Sequence, residues 1–284
     1  MLEATSAYGL NLLIPTNDTG VGQALREFGE FARPEVELIR ELVGNGTYID
    51  IGANLGAIAL PVAQSAKRVI AVEANREFAN LLAANAINNE LHNVAVHHAA
   101  VGEKLRLARF PMMPISERGN LGVSGFTLAG KYPEEIVQMT TLDSLAPTDT
   151  TVIKVDVEGY EHPVMVGASI VLRDLRPVWI VESATDSPNN RAVMDLLRAA
   201  GYSLWWFLTP FVTPTSERSA ADAMRRRADF NILAMPDGRR PPWPMLPVNG
   251  PAPRPVGVTN YPYLARFGYV GENFADPSRP LGPI

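Results

Sequence analysis

The chain has 284 residues, 46% of them hydrophobic, which is enough to fill the core of one large α/β domain with additions. A formal charge of −5 gives no general attraction for polyphosphate, so nucleic acid is not expected as a partner, and Arg225-Arg226-Arg227 is read as a solvated basic run. The absence of cysteine removes disulfides, thiolate metal sites and cysteine nucleophiles together, and it fits a reducing cytoplasm.

Residues 1–33 form a lead-in with no basic segment followed by an apolar run. No stretch reaches the roughly 18 uninterrupted apolar residues of a membrane helix, so no membrane span and a cytoplasmic location are expected. From residue 34 to residue 235 the chain alternates helix and strand. Val36, Ile39 and Val43 lie on one face of a first helix, which Gly44 and Gly46 end. Tyr48 to Ile51 reads as a strand, residues 55–66 as a helix that Pro61 must disturb, and Val69-Ile-Ala-Val-Glu73 as a second strand.

That first unit already carries chemistry. In Tyr48-Ile-Asp-Ile-Gly-Ala-Asn-Leu-Gly56 the pattern is Asp50, Gly52 and Gly56, where a dinucleotide fingerprint has G-x-G-x-x-G. A carboxylate in the turn repels a diphosphate and attracts an ammonium group, so the unit points to S-adenosylmethionine before NAD. Glu73 ends the second strand with two acceptor oxygens at the spacing of a ribose diol. Asn75 either contacts the adenosine or caps the next helix.

That helix spans residues 76–90, with Phe78, Leu81 and Leu82 on one face, and Val94-Ala-Val-His-His-Ala-Ala100 follows as a third strand. Leu105 to Phe110 and Ile136 to Thr140 read as short strands around an irregular stretch, residues 111–130, expected to lie over the site. Thr151 to Asp156 and Pro177 to Glu182 are buried strands that each end on an acid. Val164, Ala168, Val171, Leu172 and Leu175 place one helix between them. A further helix carries Val193, Leu196, Leu197 and Ala200, and Tyr202 to Leu208 and Phe230 to Met235 close the sheet. The pattern predicts a mostly parallel sheet with an antiparallel edge.

The second dense motif is Lys154-Val-Asp-Val-Glu-Gly-Tyr-Glu-His162. Its carboxylates at a central strand end suit orienting a hydroxyl, taking its proton or holding a divalent ion, with Asp156, Glu158 and His162 as catalytic candidates. Residues 236–284 are rich in proline and glycine, but Trp243, Tyr261, Tyr263, Phe267, Tyr269 and Phe274 are too aromatic for a solvating linker. They are expected to pack over the crevice mouth or on a second subunit of a homo-oligomer.

Taken in order and spacing, the glycine turn, Val72-Glu73-Ala74-Asn75, Thr141-Leu-Asp-Ser-Leu145 and Ile153-Lys-Val-Asp-Val-Glu-Gly-Tyr-Glu161 resemble the FkbM family of S-adenosylmethionine-dependent methyltransferases, over about residues 18–235. The resemblance implies a class I methyltransferase fold, Rossmann-like, with seven mostly parallel strands. It implies methyl transfer to a hydroxyl of a sugar, glycolipid or other natural product, so the partner is a small-molecule or glycan acceptor. The implied nucleoside site is Asp50, Gly52, Asn54 and Glu73, with Ala53, Gly56, Ala74 and Asn75 beside them and His98, Ala99 and Ala100 in the adenine region. A magnesium ion at the acidic motif is left open, as are an NAD-dependent enzyme and a non-catalytic nucleoside-binding assembly domain.

Overall fold

The computed structural model describes residues 1–183, 187–216, 224–249, 254–271 and 276–279. The lead-in is an antiparallel hairpin, β1 (Leu2–Ala7) and β2 (Leu10–Pro15), followed by α1 (Val21–Phe28) and α2 (Arg33–Val43). The periodic segments then appear in turn: β3 (Thr47–Ile51), a five-residue α3 (Ala59–Ala63), β4 (Arg68–Glu73), α4 (Arg76–Asn88) and β5 (Val94–His98). Pro61 sits inside α3, which is why the helix expected over twelve residues is reduced to little more than a turn.

The third strand breaks at Ala99. Ala100–Val101 (β6) leave the main sheet and join Arg106–Pro111 (β7) and Glu134–Thr140 (β8) in a three-stranded sheet with its own core of Ala108, Phe110, Val137 and Met139. After the short α5 (Leu142–Leu145) the chain re-enters the main sheet as β9 (Thr150–Val155) and leaves through α6 (Glu161–Val166). The single helix expected after Asp156 is interrupted at Gly167, where a side chain would collide with the carbonyl oxygen of Gly102, and a π turn over Val171–Leu175 follows. The described strands and α-helices end with β10 (Val178–Glu182), α7 (Pro188–Ala199), β11 (Tyr202–Pro210) and β12 (Ala228–Pro236), after which only short 3-10 turns occur among the described residues, at Val258–Asn260 and Pro262–Phe267.

The main sheet runs β11-β12-β10-β9-β3-β4-β5. Its first five strands in the chain are parallel, and β12 is antiparallel to both β10 and β11, so the antiparallel strand lies one place in from the edge. From β3 the chain winds outward through β4 and β5. It then returns to β9 on the other flank and winds the opposite way, so the topological switch lies between β3 and β9, where an open α/β sheet binds its ligand. All five β3 residues are buried, which fixes this centre of the sheet rigidly.

The proline-rich extension packs on the same chain. Trp206 donates its backbone N–H to Leu246 O and Val248 donates to Leu204 O, so residues 246–248 cover the open edge of β11. Tyr263 is fully buried, its hydroxyl donating to Leu208 O (2.8 Å) and accepting from Leu208 N–H (2.7 Å). Trp243, Tyr261, Phe267 and Tyr269 are buried with it, and the Trp243 indole N–H donates to Glu41 of α2. Phe274 lies outside the described residues.

Candidate active site

Two depressions open beyond the carboxyl ends of β3, β4 and β9, and they share Gly52, Asn54, Gly122 and Asp156. The first, about 520 Å³, is lined by Glu73, Ala74, Ala99 and Ala100, with Phe126 and Tyr160 on its aromatic side. Those two rings stand 4.6 Å apart between centroids, and Phe110 meets Phe126 edge-on at 5.1 Å, a surface suited to a flat heteroaromatic group. The stretch at 111–130 lies over both depressions, Ser124 to Phe126 lining the first and Asn120 the second. It is tied down by Asp18 of the lead-in, whose carboxylate accepts from Gly20, Gly22 and Leu121 N–H groups.

Glu73 organises the turn as well as facing the first depression. Its Oε2 accepts the Asn54 N–H and its Oε1 the Asn75 N–H, both at 2.8 Å. Burial pushes its carboxyl up to about 7, against the pull of those backbone donors. Gly52 has φ +85°, and a Cβ there would collide with the carbonyl oxygen of Asp156, so the glycine is demanded by the neighbouring strand end. Gly56 lies clear of both depressions, because its missing side chain makes room for Leu60 and Leu82.

The second depression, about 630 Å³, is acidic: Asp50, Asp156, Glu158, Glu182 and Asp229 line it with one cation, Lys154. Register places Asp50 on β3 opposite Lys154 on β9, and the buried Lys154 ammonium donates to Asp156 at 2.7 Å. Burial works against that charge, yet Asp156, then Glu35 and Asp50, hold the ammonium above its usual range. Asp50 is pushed up to about 6 by burial, opposed by Lys154, and Glu35, fully buried on α2, is pushed up to about 8 in the same way.

Glu158 is held at φ +53°, a left-handed conformation uncommon outside glycine, and strain of this kind collects at functional sites. Burial, then the charge of Asp156, pushes its carboxyl up to about 8. Burial, then the charge of Asp156, raises the Glu182 and Asp229 carboxyls as well. Ligand atoms of Asp156, Glu158 and Glu182 lie within 4.8 Å of one another.

Other candidates serve the fold. Glu161 is buried and accepts from the Val157 and Gly159 N–H groups, holding the Asp156–Gly159 turn. Asn75 caps α4 through the Glu77 N–H and donates to Met113 O, so its amide is spent within the structure. His98 is exposed on the outer strand β5, its ring near Ala74 O, and lines neither depression; the adenine side falls to Ala99 and Ala100. His162 also lines neither, because it sits in α6 beyond the turn, leaving Asp156 and Glu158 without the expected histidine. Ala53 lines the acidic side. Lys154 was visible as a charge inside an apolar strand but was not given a role, while Asp229 just before the strand read from Phe230, Glu35 on a helix and Phe126 in a loop carry no comparable signal.

The methyltransferase FkbM domain model matches residues 50–204. No curated protein matches the chain. Among solved structures, the precorrin-6y C5,15-methyltransferase of Geobacter metallireducens GS-15 is 14% identical over 72% of this chain and 87% of that one, with a TM-score of 0.44. The methyltransferase FkbM of Methylobacillus flagellatus KT is 16% identical over 67% of this chain and 43% of that one, with a TM-score of 0.41. The tRNA m1G37 methyltransferase of M. jannaschii is 11% identical over 84% of this chain and 57% of that one, with a TM-score of 0.45.

Proposed function

The chain belongs to the FkbM family of S-adenosylmethionine-dependent methyltransferases, and we propose that it methylates a hydroxyl oxygen of a sugar, glycolipid or other natural product. The observation that carries this reading is the junction of the two depressions at Gly52 and Asp156. The adenosine fits the side lined by Phe126 and Tyr160, with the ribose hydroxyls donating to Glu73. The methionine end then reaches the Asp50 side, and the acceptor enters among the carboxylates.

S-Adenosylmethionine supplies an electrophilic methyl on a sulfonium, and the methyl–oxygen bond forms as the methyl–sulfur bond breaks with its electron pair going to sulfur. The chain must align the acceptor oxygen and take its proton. Glu158 is the proposed base: a carboxyl raised to about 8 is a far better proton acceptor than an ordinary one, and it lines the acceptor side. The Lys154 ammonium donates to one Asp156 oxygen and fixes that carboxylate in place, so that Asp156 orients the hydroxyl. Oxygen is favoured over nitrogen because a carboxylate-lined cavity holds an amine as its unreactive ammonium, whereas a hydroxyl gains a proton acceptor.

A second reading gives Asp156, Glu158 and Glu182 a magnesium ion that would hold the acceptor hydroxyl. Their mutual spacing favours it, and the Lys154 ammonium already on Asp156 weighs against it. Activity that survives a chelator removes this reading. Among the described residues no helix is long and apolar enough to cross a membrane, and a cytoplasmic site of action rests on the cysteine-free composition. A homo-oligomer through the extension loses its main support, since the described aromatics are buried within one chain. The direct test is mass spectrometry of hydroxylated acceptors after incubation with S-adenosylmethionine. A methyl ether on oxygen is expected, and methylation of nitrogen or carbon alone would overturn the assignment.

A further inference from the structure

Beside the acidic depression lies a third, about 780 Å³ and open to solvent, with the opposite charge. Arg226 and Arg227 reach it from the entry to β12, and Arg254 and Arg279 from the extension. Asn120 and Phe211 line both this depression and the carboxylate one, so the two adjoin. Strand alternation separates the charges: Ala228 and Phe230 face the arginines, and Asp229 between them faces the carboxylates.

The arginine side is built as well as charged. The Arg254 guanidinium stacks over the Phe230 ring at 3.4 Å, and Arg227 donates to Thr19 O at 2.6 Å, which fixes both side chains. Arg279 lies 3.5 Å from Asp276, and Arg226 is exposed. In a chain of net charge −5, four guanidiniums converging from separate segments beside the acceptor entrance are not accounted for by methyl transfer itself.

We propose that the acceptor is a phosphorylated sugar whose phosphate or diphosphate is held by Arg226, Arg227, Arg254 and Arg279 while its hydroxyl enters between Glu158 and Asp156. This deepens the methyl-transfer reading and rests on it. Guanidinium forks match phosphate oxygens in pairs, and four of them exceed what one carboxylate can occupy. The carboxylates beyond Asn120 repel a second phosphate but accept hydroxyl protons, which suits an acceptor charged at one end and hydroxylated at the other. A nucleic-acid strand presents phosphates along its whole length, and the acidic depression opposes that.

The experiment titrates inorganic pyrophosphate into the full chain at low ionic strength by calorimetry, for wild type and for an Arg226→Gln/Arg279→Gln variant. S-Adenosylhomocysteine is titrated separately into both proteins. Expected are saturable pyrophosphate binding at least tenfold weaker in the variant, and the same S-adenosylhomocysteine affinity in both. Absent pyrophosphate binding, or binding untouched by the substitutions, overturns the phosphate site while leaving the methyl-transfer reading standing. Failure of S-adenosylhomocysteine to bind either protein overturns the acceptor role through its premise. A mixed-sequence RNA oligonucleotide that binds more tightly than pyrophosphate, and is lost in the variant, overturns the sugar assignment in favour of nucleic acid.

Discussion

Glu73→Gln keeps the side-chain shape and removes the charge, which isolates the proposed contact with ribose. In the free protein both carboxylate oxygens accept backbone N–H groups, from Asn54 and Asn75. The substituted amide can accept only one of them and turns its NH₂ towards the other. With a nucleoside bound, the variant also loses a charged acceptor for the ribose hydroxyls. Hydrogen bonds to a charged group contribute about 1.5–3 kcal/mol, so S-adenosylhomocysteine should bind about 10- to 150-fold more weakly by calorimetry. The wild-type affinity should also depend on pH. Burial raises the free carboxyl to about 7, and the ionised form is the better acceptor, so affinity falls as pH drops from 8 to 6. The variant should lose the part of that dependence centred near 7. Equal affinity in the two proteins, or the same pH dependence in both, would refute the ribose assignment. Glu73→Ala is a poorer probe, because it strands the Asn54 N–H and the buried Asn75 N–H and mixes a folding defect into the binding loss.

Other substitutions separate fold from function. Glu35 is raised from 4.5 to about 8 by burial, so the folded state holds its proton where the unfolded state releases it. Its contribution to stability therefore falls as pH rises from about 4.5 to about 8. At about 1.4 kcal/mol per unit this amounts to about 3–5 kcal/mol, and Glu35→Gln should flatten the denaturant midpoint against pH; an unchanged slope would remove Glu35 from that account. Gly52→Ala should lower the melting temperature and abolish nucleoside binding together, since the collision is with backbone at the end of β9; near-normal melting would contradict it. Tyr263→Phe leaves the Leu208 N–H and C=O without their partner and should cost about 1–3 kcal/mol in chemical unfolding, with nucleoside affinity retained. A fully stable variant would show that the extension contributes little to the domain.

The alternation of strands and helices was legible because strands buried on both faces are written as continuous apolar runs, as in Val69 to Val72 and Thr151 to Val155. Glu73, Asp156 and Glu182 were legible for the related reason that a charge at the end of such a run has few structural uses. What sequence could not supply was register. The pairing of Asp50 with Lys154 across β3 and β9 depends on how two strands distant in the chain align, and Glu35 joins them from a helix packed behind. Gly52 was legible as a nucleoside-site position and does line both depressions, but sequence could not show that the backbone of Asp156 also occupies the space a side chain would need. The histidines misled because proximity in sequence to an acidic motif says nothing about direction: His98 lies on the sheet's outer strand and His162 beyond the turn. The aromatics of the extension announced burial, and the five described ones are buried, but the surface expected was the crevice mouth or a second subunit, whereas residues 246–248 run along the β11 edge of the same chain.

The most direct test of the central claim compares wild type with Glu158→Gln on one hydroxylated acceptor, measuring S-adenosylhomocysteine affinity, kcat and the pH–rate profile together. The raised carboxyl must lose its proton to act, so the wild-type rate should climb with pH to an inflection near 8. In the variant the nucleoside affinity should stay within about twofold, kcat should fall by about 10²- to 10⁴-fold, and the alkaline rise should vanish. A variant that keeps wild-type turnover and the same profile would contradict the account, because the base would then lie elsewhere.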